Sequence, residues 1–476
     1  MRRRTFLTSA TLGAAFTAVP LATLTSSPAW AAETRVSTLR DLQTAIDGAA
    51  PGDRIVVADG AYAVPQGGAI RVTGKHGADG APITIVAASR GGAVLTGEHG
   101  FVFSDSSHIV VSGFAFRQRA TLEIPANCPH IRLTRNDFGF ADVSGVHWLV
   151  IRGNHAKIDR NHFHDKATAG VFLAVDGPGT TAIAFKTHIL RNHFSDHTFP
   201  GSNGGEAVRI GVSSRALSTA DATVEYNLFE RCDGDPEAIS VKSSGNTIQY
   251  NTLRTSHGGI VLRHGNNSKV VGNYLLGGTE GLRIYGNDHV LVNNYCGALT
   301  GRPLVIGSGT LRDHLDGESA GARTGNDACD RALIAHNTLA YNARGISGES
   351  RTHEPRDVTV ADNLLVGDQG SLVSLQQAPG FVWQGNILWG AASNGTIPSV
   401  GFTRTDPKLV QGTDTVFRLS STSPAIGAAT LTTLTLADDI DGHTRGTTRD
   451  VGADEYATTA PLRRPLTTAD VGPNAA

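Results

Sequence analysis

The chain has 476 residues, 56 of them glycine, and charged residues make up only 18% of it. That is globular composition, long enough for several domains or for one elongated repeat domain with no single growing core to limit its size. Its 41 basic and 43 acidic residues nearly cancel, which argues against nucleic acid or a membrane surface as partner and leaves attraction for a polyanion to a local basic groove.

The N-terminus reads as an export address. Arg2, Arg3 and Arg4 precede a mostly apolar stretch from Phe6 to Leu24, and Ala29-Trp30-Ala31 forms a small-x-small cleavage site. Residues 1–31 are therefore expected to be a signal peptide, with the mature, secreted chain beginning near Ala32. Arg3-Arg4-Thr5-Phe6-Leu7 fits a twin-arginine signal, with an ordinary secretory signal as the alternative. No other stretch is long and apolar enough to span a bilayer.

The strongest structural signal is a repeated asparagine followed two residues later by an apolar residue, as in Asn136/Phe138 and Asn251/Leu253. It recurs at Asn136, Asn161, Asn192, Asn227, Asn251, Asn273, Asn294, Asn337, Asn363 and Asn386, mostly 21 to 26 residues apart. Such periodicity means a solenoid. Short alternating runs such as Ala238–Val241 and Gly259–Leu262 precede the asparagines, with Gly or Asn at the corners. Two or three short strands per ~22 residues fit one coil of a parallel β-helix, whose stacked coils lie ~4.8 Å apart. The fold class is thus predicted to be all-β, a single-stranded right-handed parallel β-helix over 32–476. An asparagine at each corner is expected to take the left-handed conformation and bond its neighbours above and below. Residues 300–330 form the largest insertion. The repeat is lost from about Asp406, where a loop-rich end is expected to cover the end of the solenoid. Cys128, Cys232, Cys296 and Cys329 show no metal spacing. They either pair after export, Cys296 with Cys329 for example, or stay as buried thiols.

Three consecutive coils carry outward-facing polar residues. If Ile239 and Val241 point inward, Ser240 and Lys242 face out. Arg263 stands one coil on, 21 residues after Lys242. Arg283 and Tyr285 follow on the next coil, and Arg209 precedes them. Cations stacked on adjacent strands are unfavourable unless an anion binds there. Carboxylates gather where the same strands begin, at Asp233, Asp235 and Glu237, with Asn203 and Glu206 one coil earlier. Such an oxygen set suits Ca²⁺ as readily as it suits a self-satisfied turn.

Asp235-Pro-Glu237 through Lys242, Leu262-Arg263-His264-Gly265-Asn266, and Gly281 through His289 together resemble polysaccharide lyase family six, the β-helical alginate lyases and chondroitinase B. The similarity runs from about Val36 to the C-terminal Asp470-Val-Gly-Pro. One departure is Asp235, where the family more often has Glu. The resemblance implies β-elimination on an acidic polysaccharide, with alginate the favoured substrate. Ca²⁺ would be held by Asn203, Asp235 and Glu237, with Glu206 as a further ligand. Lys242, uncharged, would take the C5 proton of a uronate. The arginine matching Arg263 is the family's acid for the leaving oxygen, although a guanidinium rarely gives up its proton, and stabilising the developing alkoxide is the physical alternative. Arg209, His264, Arg283, Tyr285 and His289 would line the sugar groove. Three rivals remain: a chondroitin or dermatan lyase, a β-helical hydrolase of the pectinase type, and a non-catalytic glycan-binding β-helix. A hydrolase needs two carboxylates flanking the scissile bond, and a lysine beside an arginine argues against it.

Overall fold

The computed structural model describes residues 31–312 and 324–476, so the signal segment and the centre of the 300–330 insertion lie outside the described residues. The chain winds into a right-handed parallel β-helix whose coils contribute strands to two 14-stranded sheets and one 10-stranded sheet. Every pairing between consecutive coils is parallel, as at Val208–Ile210 against Ile239–Val241. The hand is the one that right-twisted strands impose on a parallel crossover. One amphipathic helix, Leu39–Gly48, covers the first coil. It is N-capped by Thr38, whose side chain accepts from the Asp41 amide, and it buries Leu42 and Ile46.

All ten repeat asparagines stack inside one corner. The backbone N–H of each donates to the Oδ1 of the next, over 2.8 to 3.1 Å from Asn136 to Asn386. Each Nδ2 also donates to a backbone carbonyl of an earlier coil, as Asn251 does to Val224 at 2.9 Å. The amides thereby satisfy buried backbone groups that a tight corner would otherwise orphan. The apolar residue two positions on points into the bore, where Phe116, Phe138, Phe163, Phe194 and Phe229 stack with centroids 4.3 to 5.0 Å apart. These contacts add roughly 0.5–1.5 kcal/mol each beyond burial.

Two expectations are corrected. The left-handed residue is the one before the asparagine: Arg135, Arg160, Arg191, Tyr226 and Tyr250 have φ of 51 to 56°. Its side chain points away from the bore, so its type is free, and the asparagine ladder over-determines its strained backbone. The segment after Asp406 is not confined to the end of the solenoid. It runs back along that left-handed corner. Asn293 donates to the Asp438 carbonyl, Asp362 accepts from the Thr430 and Leu431 amides, and Arg135 reaches the carbonyls of Pro473 and Ala475. The four cysteines are free and buried, and burial raises their thiol pKa values.

Replacing Asn251 by Ala strands the Asn227 amide and the Val224 carbonyl in a dry interior. The variant is expected to lose roughly 3 kcal/mol of stability, read from its denaturant midpoint. A change under about 0.5 kcal/mol, the range of an ordinary surface substitution, would show that the ladder is not needed at that coil.

Candidate active site

Four neighbouring strands of the 10-stranded sheet carry the chemistry: Val208–Ile210, Glu237–Lys242, Gly259–His264 and Leu282–Ile284. Val208, Ile239, Ile260 and Leu282 pair in register and fill the bore, all at most 1% exposed. Alternation then turns Arg209, Ser240 and Arg283 outward. After Val241 the register slips, and Lys242 pairs with His264 while Arg263 is the extra residue. Such a bulge re-aims a side chain. Here it brings Lys242, Arg263 and His264 together at the wall of one cleft of about 560 Å³, with Asn203, Asp235, Glu237, Arg283 and Tyr285.

Positive and negative groups alternate across this cleft. Lys242 Nζ lies 3.2 Å from Glu206 Oε1. Glu237 Oε1 accepts from Arg283 at 2.8 Å and lies 3.6 Å from Arg263 Nε, while its Oε2 accepts from Ser240 Oγ at 2.5 Å. Asp235 accepts from the Gly204 and Glu237 amides. Burial, then the charges of Glu206 and Glu237, push its carboxyl up to about 7. His264 Nε2 meets Ser213 Oγ at 3.0 Å. Tyr285 donates to Glu349, and its ring lies under the guanidinium groups of Arg263 and Arg351 at 5.5 and 5.6 Å.

The carboxylates are candidates for a bound cation. Asn203, Glu206, Asp235 and Glu237 offer oxygen donors alone, which suits a hard ion. Two strains in the site point the same way: Glu206 Oε2 is buried without a hydrogen-bond partner, and Asp235 is crowded by two carboxylates. The donor chemistry suits Ca²⁺, but the carboxylate oxygens of Glu206, Asp235 and Glu237 do not all lie within 4.8 Å of one another, and Lys242 and Arg283 neutralise part of their charge, so an ion would have to draw the donors together.

Two predicted groove residues lie elsewhere. His289 is 1% exposed. Its Nδ1 accepts from the Ser268 amide and its Nε2 donates to the Tyr285 carbonyl, at 3.0 and 2.8 Å. Burial pushes its pKa down to about 4. It is a corner histidine bonded to backbone and cannot touch a ligand. Arg209 is turned toward His147 Nε2, 3.3 Å away, and does not line the cleft. Conversely, Ser213 and Arg351 line it and were not anticipated. Ser213 opens a short 3-10 helix and Arg351 lies in a connection between strands, and in neither does strand alternation give a phase.

The model of the chondroitinase B family matches residues 36–308, more than half of the chain. The chain belongs to this family, polysaccharide lyase family six. Among solved structures it is similar to a point mutant of the PL6 family alginate lyase AlyGC, at 25% identity and a TM-score of 0.76, covering 92% of this chain and 58% of that one. The chain thus spans less than two thirds of AlyGC. A mannuronic acid specific family 6 lyase from human gut microbiota is 25% identical with a TM-score of 0.67, covering 75% of this chain and 86% of that one. A PL6 family lyase from Pseudopedobacter saltans, 22% identical over 93% of this chain and 99% of that one, shares the fold at a TM-score of 0.63. No curated protein matches the chain.

Because His289 serves the corner, His289→Ala is expected to lower the thermal midpoint, by a loss of roughly 2 kcal/mol for its two backbone bonds, while leaving ligand affinity intact. Tighter or weaker oligosaccharide binding at unchanged stability would place it in the groove after all.

Proposed function

We propose that this chain is a secreted, Ca²⁺-dependent lyase that cleaves alginate, a polyuronate, by β-elimination. The observation that carries the reading is the bulge that places Lys242 and Arg263 together beside a buried carboxylate set. The alginate lyase AlyGC and the mannuronic acid specific family 6 lyase, both similar to this chain at 25% identity, support the substrate. The pattern of residues 1–31 supports secretion.

The C5–H of a uronate is acidified by the adjacent carboxylate. In its deprotonated form Lys242 accepts that proton, and the electron pair of the C–H bond forms the C4–C5 double bond as the C4–O bond breaks. The leaving oxygen develops negative charge and ends protonated. Arg263 stabilises that charge by its fixed donors, with the proton delivered by water, since a guanidinium remains charged. Arg283 and Arg351 hold neighbouring carboxylates of the polymer. Ca²⁺ held by Asn203, Glu206, Asp235 and Glu237 would supply neutralisation of the reacting carboxylate. Membership in the chondroitinase B family gives a second reading, a sulfated glycosaminoglycan substrate, and a panel of alginate, its homopolymeric blocks and dermatan sulfate separates the two. Ultraviolet-absorbing unsaturated ends must appear with one of them. A hydrolase gives none, and a binding protein gives no product.

Lys242→Ala is expected to lower kcat by roughly two to four orders of magnitude, and Lys242→Arg should not restore it. Oligosaccharide binding should survive both changes better than turnover. Near-normal turnover of Lys242→Arg would remove the lysine as base and make His264 the next candidate.

Exhaustive chelation is expected to abolish most activity, with added Ca²⁺ restoring it. Calorimetry should show Ca²⁺ binding to the wild type and none to Glu237→Ala. Full activity after chelation would take the ion out of the reaction.

A further inference from the structure

A second cluster lies on a different sheet, one of the 14-stranded ones, formed by Asp137 on one coil and His162 and His164 on the next. His162 and His164 flank the inward-facing Phe163, so alternation turns both imidazoles outward on one face. Asp137 pairs with His162 in the coil register and faces out beside them. Among the described residues this is the group of His, Cys, Asp and Glu side chains whose ligand atoms all lie within 4.8 Å of one another. His164 Nε2 is 3.1 Å and His162 Nδ1 is 4.0 Å from the same oxygen, Asp137 Oδ2. A tetrahedral ion about 2.0–2.1 Å from each donor needs donors ~3.4 Å apart, and these separations bracket that value.

The rest of each ligand is already held by other partners. His162 bonds Ser195 Oγ at 3.0 Å through its other nitrogen, and its ring stacks on His193 at 4.4 Å. His164 bonds Asp165 Oδ2 at 2.8 Å through its other nitrogen. Arg117 takes the second oxygen of Asp137. Metal-ligating histidines almost always have the distal nitrogen fixed in this way, because it sets the tautomer and the ring angle; the proximal Nε2 of His164 bonds Asp137 Oδ2, a contact that a bound ion would replace. The three donor groups remain 18 to 27% exposed, so an ion can reach them.

We propose that Asp137, His162 and His164 form a Zn²⁺ site that joins two successive coils. Two imidazoles and one carboxylate suit a borderline ion and are a poor set for Ca²⁺, which takes six to eight oxygens. The three protein ligands leave a fourth position for water. With both coils already paired through the sheet, the ion acts as a cross-link between them, and its binding energy adds to the stability of the folded chain.

The test uses the full secreted chain in buffer containing Ca²⁺, so that the carboxylate cleft is supplied with its own ion. Zinc chloride is titrated by calorimetry, and cobalt(II) chloride is followed by visible absorption. One zinc per chain, a cobalt band of low-coordinate nitrogen–oxygen type, and a raised thermal midpoint are expected. Ser195→Ala, which leaves the three ligands in place, should weaken zinc by roughly tenfold to a hundredfold, and the His162→Gln/His164→Gln pair should abolish the cobalt band. Asp137→Asn provides the same reading at nearly constant side-chain size should the double variant fold poorly. Equal zinc affinity in the wild type and Asp137→Asn overturns the proposal. So does a zinc signal that is lost in Glu237→Ala and kept in the histidine variants, because the ion would then be sitting in the lyase cleft.

Discussion

The buried asparagine ladder sets the repeat on which everything else in this molecule depends. An amide that bonds the coil above and the coil below tolerates only one vertical spacing, that of paired strands, ~4.8 Å. Once that spacing is fixed at one corner, the three sheets follow in register, and so does every outward side chain. Residues about one coil apart in sequence are forced to within a strand spacing of each other whatever their charge. Loops can grow at the corners between strands, as the 43-residue step from Asn294 to Asn337 shows, without disturbing the ladder.

The ladder also explains the path of the C-terminal segment. The residue before each asparagine is held at positive φ, and near the end of the solenoid those residues are Asn293, His336 and Asp362. Their polar side chains turn outward, where the segment after Asp406 supplies partners: the Asp438 carbonyl for Asn293, the Asp450 carbonyl for His336 and two amides for Asp362. A row of strained corners thus becomes a row of docking points. The apolar part of the contact includes Tyr274, Leu276 and Tyr295 against Val416, Ile440 and Ala453, and Leu364, Val366 and Ile387 against Leu419, Ala425 and Val451.

The sequence made the fold legible because a period of 21 to 26 residues and an alternation of two are both local signals. It made the inward and outward phase of Ile239 to Lys242 and Ile260 to Arg263 legible for the same reason, and the structure places Lys242, Arg263, Arg283 and Tyr285 at one cleft. Three things were not legible. The register slip at Lys242 is a property of two paired strands and leaves no mark on either alone. The inward turn of His289 comes after its strand has ended, where alternation no longer gives a phase, and only the Ser268 and Tyr285 backbone shows which way it faces. The pairing of Arg209 with His147 spans 62 residues and three coils of the same surface.

The same register rule gives the two polar clusters different characters. On the 10-stranded sheet a bulge interrupts the pairing, and long side chains from four coils fold over one another: two arginines share Glu237, a lysine leans on Glu206, and one carboxylate oxygen stays bare. Such a surface holds unbalanced charge that a polyanion and a hard cation would relieve together. On the 14-stranded sheet the pairing of Asp137 with His162 is regular, and short, stiff side chains meet with their outer atoms already bonded. Regular pairing there leaves little to rearrange, which suits an ion held for stability. The irregular rung is the one where chemistry on a passing chain can occur.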